Sequence, residues 1–294
     1  MTLRLPLYVL GTAALWGASY LFITVALDDG ASEAFIVCLR TVLGACILVP
    51  LAARAGGLRP LLDRRGWMLA LAAVQVIVPF GLITFAEHWI ASGLTAILIA
   101  SAPLFLALMA PWLDREERST GLALAGVVIG MAGVVLLLAT DLEGTGSRPA
   151  LGAALVLGAA AIYAVAPLIV KRGFGGVPPV GVAAGTMVVS AVVWAPWALA
   201  DLPSHGLPIT SWLALAALGA GGTGIAFLMF YELIAEVGPA RASVIAYVAP
   251  LFSVLYGVLL LDERFTGWTL AGMELILGGS WLAARRSTLE PVTD

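Results

Sequence analysis

The sequence predicts an all-α integral membrane protein with ten transmembrane helices, arranged as two inverted repeats of five. The first observation is composition: 61% of the residues are apolar and 11% are charged, against roughly 45–50% and about 25% in soluble domains. The second is duplication, because Ser-Ala-Pro-Leu-Phe at 101–105 returns as Val-Ala-Pro-Leu-Phe at 248–252, 147 residues later. The third is parity. Each copy holds five apolar stretches, an odd number, so the second copy is predicted to enter the bilayer in the opposite direction.

Ten stretches reach the length of about 20 apolar residues that a membrane-spanning helix needs. In chain order they are 7–27, 33–53, 66–86, 92–112, 120–140, 150–170, 179–199, 211–231, 240–260 and 267–284. The first ends at Leu27-Asp28-Asp29-Gly30 without a clean cleavage site, so it is predicted to be a retained span rather than a signal peptide. The connections are short and no linker divides soluble domains. The repeats are therefore expected at 1–145 and 146–294, within one membrane domain.

The orientation follows from Lys and Arg, which accumulate in cytoplasmic loops. With the N-terminus inside, the outer side carries only Arg148 and Arg264, and Arg40 lies within a span. The cytoplasmic side then carries Arg4, Arg54, Arg59, Arg64, Arg65, Arg115, Arg118, Lys171, Arg172, Arg241, Arg285 and Arg286. We therefore expect a multi-pass protein of the cell membrane (inner or plasma membrane) with both termini in the cytoplasm.

Composition and motifs also exclude several functions. A net charge of −3 with scattered basic residues predicts no nucleic-acid surface. Cys38 and Cys46 lie in one apolar span and are expected to be small core residues, which predicts neither a metal site nor a disulfide. The segment 219–224 matches GxGxxG, but no strand precedes it, so it is interpreted as close helix packing or a flexible break. Since HExxH and GxSxG are also absent from the sequence, we expect neither an enzyme nor a cofactor.

Seven aromatic or polar side chains within the spans are predicted to border one substrate cavity. They are Trp16, Tyr20, Arg40, Gln75, Tyr163, Tyr231 and Tyr247. A charge within the bilayer is costly, so Arg40 is expected to face a cavity and could bind a substrate carboxylate. Its alternative is to snorkel to the outer headgroups. Gln75 is included because a mid-span amide seeks polar company, and a mid-span Trp or Tyr suggests a flat cavity wall that donates hydrogen bonds.

Two prolines, Pro103 and Pro250, lie near the middles of spans four and nine. Each removes a helix hydrogen bond and frees the carbonyl four residues earlier, at Ile99 and Ala246. Within lipid, a freed carbonyl is tolerated only beside protein or a water-filled cavity. Their symmetric placement predicts a pair of cavity-lining hinges, and structural kinks are the alternative.

Two carboxylates, Glu87 and Glu274, are candidates for ion coupling. Glu274 lies well inside span ten, either as a proton-coupling group or as a protonated side chain bonded to a neighbouring helix. Glu87 precedes His88 at the outer end of span three. The default expectation there is a solvated interfacial pair, and a pH-sensing His88 is the alternative.

The remaining motifs support a family resemblance. In the first half they are Ala14–Ser19, Leu39-Arg40, Ser92–Ala96 leading to Ala102–Phe105, and Glu116 with Ser119. In the second half they are Gly238–Ala242 leading to Ala249–Phe252, followed by Leu261–Thr266, in which Glu263 matches Glu116 at the same offset. Their order and duplicate spacing cover nearly the whole chain. They resemble the drug/metabolite transporter superfamily, specifically ten-helix bacterial proteins with two EamA repeats.

The resemblance implies a basket of helices around a central cavity, alternating access, and export of small organic solutes such as amino acids, metabolites or drugs. Inverted repeats are themselves typical of secondary transporters, whose sites lie at the seam between the repeats. The resemblance also implies that the fifth and tenth helices are peripheral, which disfavours coupling through Glu274. The expected partners are the solute, the lipid bilayer and a coupling proton or ion, and a monomer is compatible with the sequence. A membrane scaffold or sensor that transports nothing is the alternative function.

Overall fold

The computed structural model describes residues 4–113, 121–141, 147–203, 205–237 and 242–284, and every regular element in these ranges is a helix. Eight helical stretches among them are long and apolar enough to cross a membrane. They are Leu5–Asp28, Glu33–Arg54, Arg65–Ala86, Ser92–Met109, Leu122–Thr140, Ser147–Gly173, Pro179–Ala200 and Ile209–Ile234. The ninth predicted span is represented by the shorter apolar helix Ile245–Leu260, and the tenth by Gly267–Ala284. The protein is therefore a multi-pass membrane protein.

Within its described ranges, the first half of the chain forms eight helices. They are α1 (Arg4–Asp28), α2 (Glu33–Arg54), the single turn α3 (Arg59–Leu62), α4 (Arg65–Ala72), α5 (Val78–Ala86), α6 (Ser92–Ile99), α7 (Ala102–Leu113) and α8 (Leu122–Asp141). The start of α2 shows how the sequence sets a helix end. The Ser32 hydroxyl accepts a hydrogen bond from the Phe35 N–H at 3.3 Å, and Glu33 lies in the first turn. Both features stabilise the positive end of a helix.

The second half forms seven helices within its described ranges. They are α9 (Ser147–Tyr163), α10 (Ala166–Gly173), α11 (Pro179–Ala200), α12 (Ile209–Ala216), α13 (Ala226–Val237), α14 (Ile245–Leu260) and α15 (Gly267–Ala284). The join between the predicted repeats, together with Glu116, Ser119, Pro239 and Arg241 of the motifs, lies outside the described residues.

Four of the predicted spans are interrupted or change helix type along their length. Residues 100–101 separate α6 from α7, and residues 164–165 separate α9 from α10. Pro103 and Pro167 lie in the first turn of the helices that follow these breaks, where the missing N–H of proline costs nothing. In two further spans the helix passes through π-helical turns, Ala73–Ile77 between α4 and α5 and Ala217–Ile225 between α12 and α13.

Small residues allow the closest helix contacts. The neighbouring helices α8 and α15 correspond to predicted spans five and ten, and glycines meet at their interface. A Cβ atom built on Gly279 would lie 2.6 Å from the Gly126 carbonyl oxygen. Such spacing is typical of membrane helices that pack through small residues. Elsewhere α2 packs along α11, and α1 packs along α14.

The two ends of the helix bundle are distinguished by their contacts. At one end, here called the Glu33 end, His88 Nε2 lies 2.7 Å from Glu33 Oε1 and the Ser32 hydroxyl donates to the Asp201 carbonyl at 2.8 Å. At the other, here called the Arg64 end, Arg64 Nη1 donates to the carbonyl of Gly173 at 3.0 Å. These names identify the two ends of the space between the helices.

Candidate functional site: a central cavity

A cavity of about 1660 Å³ lies between the helices of the two halves. It is larger than the 300–1,000 Å³ that is usual for small-molecule pockets. All seven residues that the sequence singled out as cavity residues lie on its wall, as do Pro103 and Pro250. The seven are Trp16, Tyr20, Arg40, Gln75, Tyr163, Tyr231 and Tyr247.

Both halves contribute equivalent positions to this wall. Many lining residues form pairs whose numbers differ by 147, the offset of the sequence duplication. Among these pairs are Trp16 with Tyr163, Gln75 with Gly222, Phe80 with Phe227, Ile83 with Phe230 and Pro103 with Pro250. The cavity therefore lies at the seam between the two copies of the sequence pattern.

Both π-helical turns border the cavity at equivalent positions. Gln75 lies in the first and Gly222 in the second, and both line the wall. In the second, the Thr223 hydroxyl donates to the Leu218 carbonyl, five residues earlier, at 3.0 Å. Single π turns are rare and occur frequently at functional sites. Each π turn widens its helix at the cavity wall, at Gln75 in the first and at Gly222 in the second.

Arg40 is the one charged side chain deep in the cavity wall within the described ranges, and it is only 6% exposed. Its Nε donates to the Thr223 hydroxyl at 3.4 Å, and its guanidinium carbon lies 3.8 Å from the centroid of the Phe80 ring. The phenols of Tyr20 and Tyr163 lie within electrostatic range of it. Snorkelling to the headgroups, the alternative from the sequence, does not describe this position. The guanidinium is held in place from two sides, by a hydroxyl and by an aromatic face.

An aromatic cluster lies one to two helical turns from Arg40, towards the Arg64 end. The Trp16 ring lies 5.0 Å from Phe230 and 5.8 Å from Phe227 between centroids. Phe227 in turn contacts Tyr231 at 6.0 Å. These separations are typical of favourable edge and tilted aromatic pairs. The cluster gives the cavity a large apolar surface beside a single deep cation.

The cavity reaches one end of the bundle and stops short of the other. Its wall includes Gly175, Val177 and Pro179, in and next to the loop that joins α10 to α11 at the Arg64 end. Towards the Glu33 end, the last lining residues on α1 and α5 are Ile23 and Ile83. Beyond them Ala26, Leu27 and Ile36 belong to one packed apolar cluster with Ile23 and Ile83, and this cluster closes the cavity on that side.

Glu263 holds together the closed end. Its Oε1 accepts the Ser92 N–H at 2.7 Å and its Oε2 accepts the Gly93 N–H at 3.1 Å. A carboxylate that accepts the free N–H groups at the start of α6 is stabilised by the positive end of that helix. The contact joins the loop before α15 to a helix of the first half. From the sequence, Glu263 was only one member of a motif, and its exact spacing from Glu116 was the sole signal.

Glu87 departs from its default expectation. It is 7% exposed, so the solvated interfacial carboxylate predicted for this position is wrong. The Thr24 hydroxyl donates to Glu87 Oε2 at 2.9 Å, while Oε1 has no partner among the described residues. Glu87 follows the last residue of the span Arg65–Ala86. Burial, above all, holds the pKa of this carboxyl well above that of an exposed glutamate; the Thr24 hydrogen bond opposes the shift and nearby Glu263 adds to it.

Other candidates lie away from the cavity. Glu274 is exposed on α15 and is not among the cavity-lining residues. His88 contacts Glu33 at the surface of the closed end. Cys38 and Cys46 are both free, and Cys46 is exposed on α2, so the expectation of a core residue is wrong for it. In the described ranges no cluster of His, Cys, Asp or Glu could hold a metal ion.

The two prolines line the cavity in different local structures. Pro103 follows the break between α6 and α7, whereas Pro250 lies inside the continuous helix α14. The sequence predicted equivalent hinges at these positions. The same Ala-Pro-Leu-Phe pattern therefore adopts two conformations, one in each half.

Comparison with known proteins gives a consistent picture. The profile of the EamA-like transporter family matches residues 4–139 and again residues 150–285. The chain is 29% identical over 297 residues to the uncharacterized inner membrane transporter YedA of Escherichia coli K12, covering 95% of this chain and 92% of that protein. It is 30% identical over 250 residues to the aromatic amino acid exporter YddG of Ancylobacter novellus, covering 83% and 84%. A solved crystal structure with 25% identity superposes with a TM-score of 0.68 over 96% of this chain and 99% of the other.

Proposed function

The chain belongs to the EamA-like transporter family, and on this basis we propose that it is a secondary transporter that exports small organic solutes by alternating access. Its solutes are amino acids, metabolites or drugs of a size that the central cavity accommodates. The exporter YddG is named for aromatic amino acids, and the aromatic cluster at Trp16 is compatible with an aromatic ring in the solute.

The proposal includes a topology. Ten spans form two inverted repeats, 1–145 and 146–294, with the Arg64 end and both termini in the cytoplasm. The distribution of Lys and Arg supports this orientation. The lining pairs that differ by 147 in number support a two-fold relation between the repeats, because a symmetry axis through the cavity would place equivalent residues on facing walls.

The observation that carries the proposal is the one-sided cavity. It reaches the Arg64 end and is closed beyond Ile23 and Ile83 at the Glu33 end, which is the arrangement of an inward-facing transporter. The two copies of the Ala-Pro-Leu-Phe pattern differ in conformation. If they exchanged conformations, the closed end would open and the open end would close. This exchange is how inverted repeats produce alternating access.

Glu87, rather than Glu274, is the proposed site of proton coupling. Glu87 lies beyond Ile23 and Ile83, on the side of the Glu33 end, so opening of that end would expose its carboxyl group to water. Glu274 projects from the outer face of α15, away from the path of the solute.

Flux measurements in liposomes test the function. The full chain is reconstituted, and efflux of phenylalanine, 3-phenylpropionate and ethidium is compared with protein-free liposomes. We expect at least one probe to move faster with protein and to show counterflow against an unlabelled pool. Binding of a probe without any flux would contradict the proposal and identify a non-transporting receptor or scaffold.

A further inference from the structure

Arg40 is a buried cation without an anionic partner. Within the described part of the chain, no carboxylate lies at ion-pair distance from its guanidinium, and its only side-chain hydrogen bond is from Nε to Thr223. The two Nη groups make no hydrogen bond to any described residue. Since Arg40 lines the cavity and its Nη groups make no hydrogen bond to the described residues, a solute in the cavity could accept hydrogen bonds from them. Burying a guanidinium is costly unless an anion and its hydrogen bonds compensate.

The charged groups on the described cavity wall disfavour a cation, although its aromatic faces could contact one. Its described lining residues include two positive side chains, Arg40 deep in the wall and Lys171 near the mouth, and not one Asp or Glu. Neutral donors surround the deep charge, because Tyr20, Tyr163 and Gln75 line the same cavity. A protonated amine would therefore meet the positive charge of Arg40 and no carboxylate among the described lining residues. An organic anion would meet a fork of N–H donors, which binds carboxylates through two parallel hydrogen bonds.

Among the described acidic residues, Glu87 is the one whose charge could partly offset that of Arg40. It lies within electrostatic range of Arg40 but is not a lining residue, and its Oε2 already accepts the Thr24 hydroxyl. The groups that face it are Thr24 and Tyr20 from α1, Arg40 from α2 and Glu263 from the loop before α15. Glu87 is not at ion-pair distance from Arg40, so it does not occupy the guanidinium donors that face the cavity.

The aromatic cluster sets the shape of the rest of the solute. On α1, Trp16 lies one turn from Tyr20 towards the Arg64 end, and on the facing helix Phe227 lies one turn from Thr223 in the same direction. One turn is about 5.4 Å. A carboxylate bound to Arg40 would therefore place an attached ring or branched chain against the aromatic surface that Trp16 and Phe230 form together, with their ring centroids 5.0 Å apart.

We propose that the transported solutes are organic carboxylates that carry an apolar, aromatic-sized body and no ammonium group, with the carboxylate bound by Arg40. The inference rests on the proposed transport function and narrows its substrate class. The acid group enters first and lies nearest the closed end, and the apolar body faces the Arg64 end. Zwitterionic amino acids and cationic drugs are predicted to be poor solutes.

A matched series of probes tests the charge requirement on the unmodified protein. Binding of 3-phenylpropionate, 3-phenylpropionamide, 3-phenylpropylammonium and phenylalanine is measured by calorimetry on the full chain in detergent. These molecules share one ring and differ mainly in charge. We expect 3-phenylpropionate to bind at least about 10-fold more tightly than each of the others. Its carboxylate would pair with Arg40, whereas the other ligands would leave the buried guanidinium unpaired or repel it. Equal or tighter binding of the amide, the amine or phenylalanine would overturn the proposal.

Variants assign the preference to Arg40. Arg40→Gln should weaken 3-phenylpropionate by at least about 30-fold and leave the amide within a few fold, because truncation of one member of a desolvated charge pair acts on the charged partner. Arg40→Lys should retain part of the preference, as a point charge without the planar fork. Glu274→Gln, a matched neutralisation on the outer face of α15, should change neither ligand. A preference for the acid that persists in Arg40→Gln would place the site elsewhere and refute the assignment.

Flux with the same series separates this inference from the transport function. Proteoliposomes that move phenylalanine or 3-phenylpropylammonium, but not 3-phenylpropionate above the protein-free background, would refute the carboxylate class and leave the transporter intact. Arg40-dependent binding of 3-phenylpropionate without flux of any probe would refute the transport function and leave the binding site intact. Arg40-dependent flux of the acid alone is the expected result.

Discussion

At the scale of single residues, Glu87 shows how burial changes the role of a carboxyl group. Its sequence context, next to His88 at the end of an apolar stretch, is that of many interfacial glutamates. Whether such a side chain turns outward or inward depends on neighbours that are distant in sequence, here Thr24 on α1 and Glu263 before α15. Hydropathy carries no information about these neighbours, so the burial of Glu87 could not be predicted.

The burial of Glu87 predicts a specific pH dependence of stability. Because its folded-state pKa is raised, the neutral form favours the folded state. The stabilisation is complete below the pKa of the unfolded carboxyl and is lost as pH rises through the folded-state pKa. We expect the melting temperature in detergent to fall from acidic to alkaline pH, and Glu87→Gln to flatten this fall. The exposed Glu232 provides a control, since Glu232→Gln should keep the slope of the parent protein. An unchanged slope in Glu87→Gln would contradict the prediction.

Of two adjacent glycines on α15, only one has room for a side chain. A Cβ at Gly279 would lie 2.6 Å from the Gly126 carbonyl oxygen, whereas a Cβ at Gly278 would meet nothing within 4 Å. Gly279→Ala should therefore force α15 away from α8 and cost about 1–3 kcal/mol, as overpacking does. Gly278→Ala, with the same gain in helix propensity, should leave the melting temperature unchanged or raise it. Equal melting temperatures for the two variants would show that the helix contact is looser than described.

At the scale of helices, the prolines make the clearest prediction. In the conformation described, the chain is broken before Pro103 and helical through Pro250. An exchange of these two arrangements would make the first half continuous and break the second. Proline disfavours the continuous form by about 3 kcal/mol in a helix interior. Pro103→Ala should therefore shift the protein towards opening at the Glu33 end, and Pro250→Ala should shift it towards the Arg64 end.

Accessibility measurements can follow both shifts. A single cysteine at Ala246, on the cavity wall, is placed in a background in which Cys38 and Cys46 are alanine, and its labelling by a membrane-impermeant thiol reagent is measured from each side. Labelling from the Arg64 side should rise in Pro250→Ala and fall in Pro103→Ala, and both variants should slow flux. Shifts of the same sign would show that the prolines are structural kinks.

The helices also show which part of the fold the sequence could predict. Apolar length and the 147-residue duplication predicted the order of the membrane helices, because burial in lipid depends on composition alone. The break at 164–165 and the π-helical turn at Ala73–Ile77 were not predicted. For the other two sites the sequence offered a hinge or kink at Pro103, and close packing or a flexible break at 219–224. A helix that is apolar on every side has no periodicity to reveal a change from 3.6 residues per turn, so Gln75 gave no local signal of the π turn. Tyr163 and its partner in the duplication, Trp16, both line the cavity.

At the scale of the whole molecule, orientation in the membrane can be tested with reporters. The proposed topology puts the C-terminus in the cytoplasm and the loop at Asp201, at the Glu33 end, outside. Green fluorescent protein fused to the C-terminus should fluoresce, because it folds in the cytoplasm. Alkaline phosphatase fused after Leu202 should be active, because it requires the oxidising exterior. A dark C-terminal fusion together with inactive phosphatase would reverse the orientation and, with it, the direction in which the cavity opens.

The volume of the cavity has a consequence for water. At the density of the liquid, about 1660 Å³ holds about 50 water molecules. A solute of one aromatic ring and one acid group displaces a small fraction of them, so any shrinkage of the cavity while both ends are shut returns further water molecules to bulk. The free energy of that step therefore includes a term for each molecule returned to bulk, and the term depends on the osmotic pressure of the surrounding solution. Polymers too large to enter would draw water out and favour the shut form, which makes hydration a determinant of turnover independent of any side chain that contacts the solute.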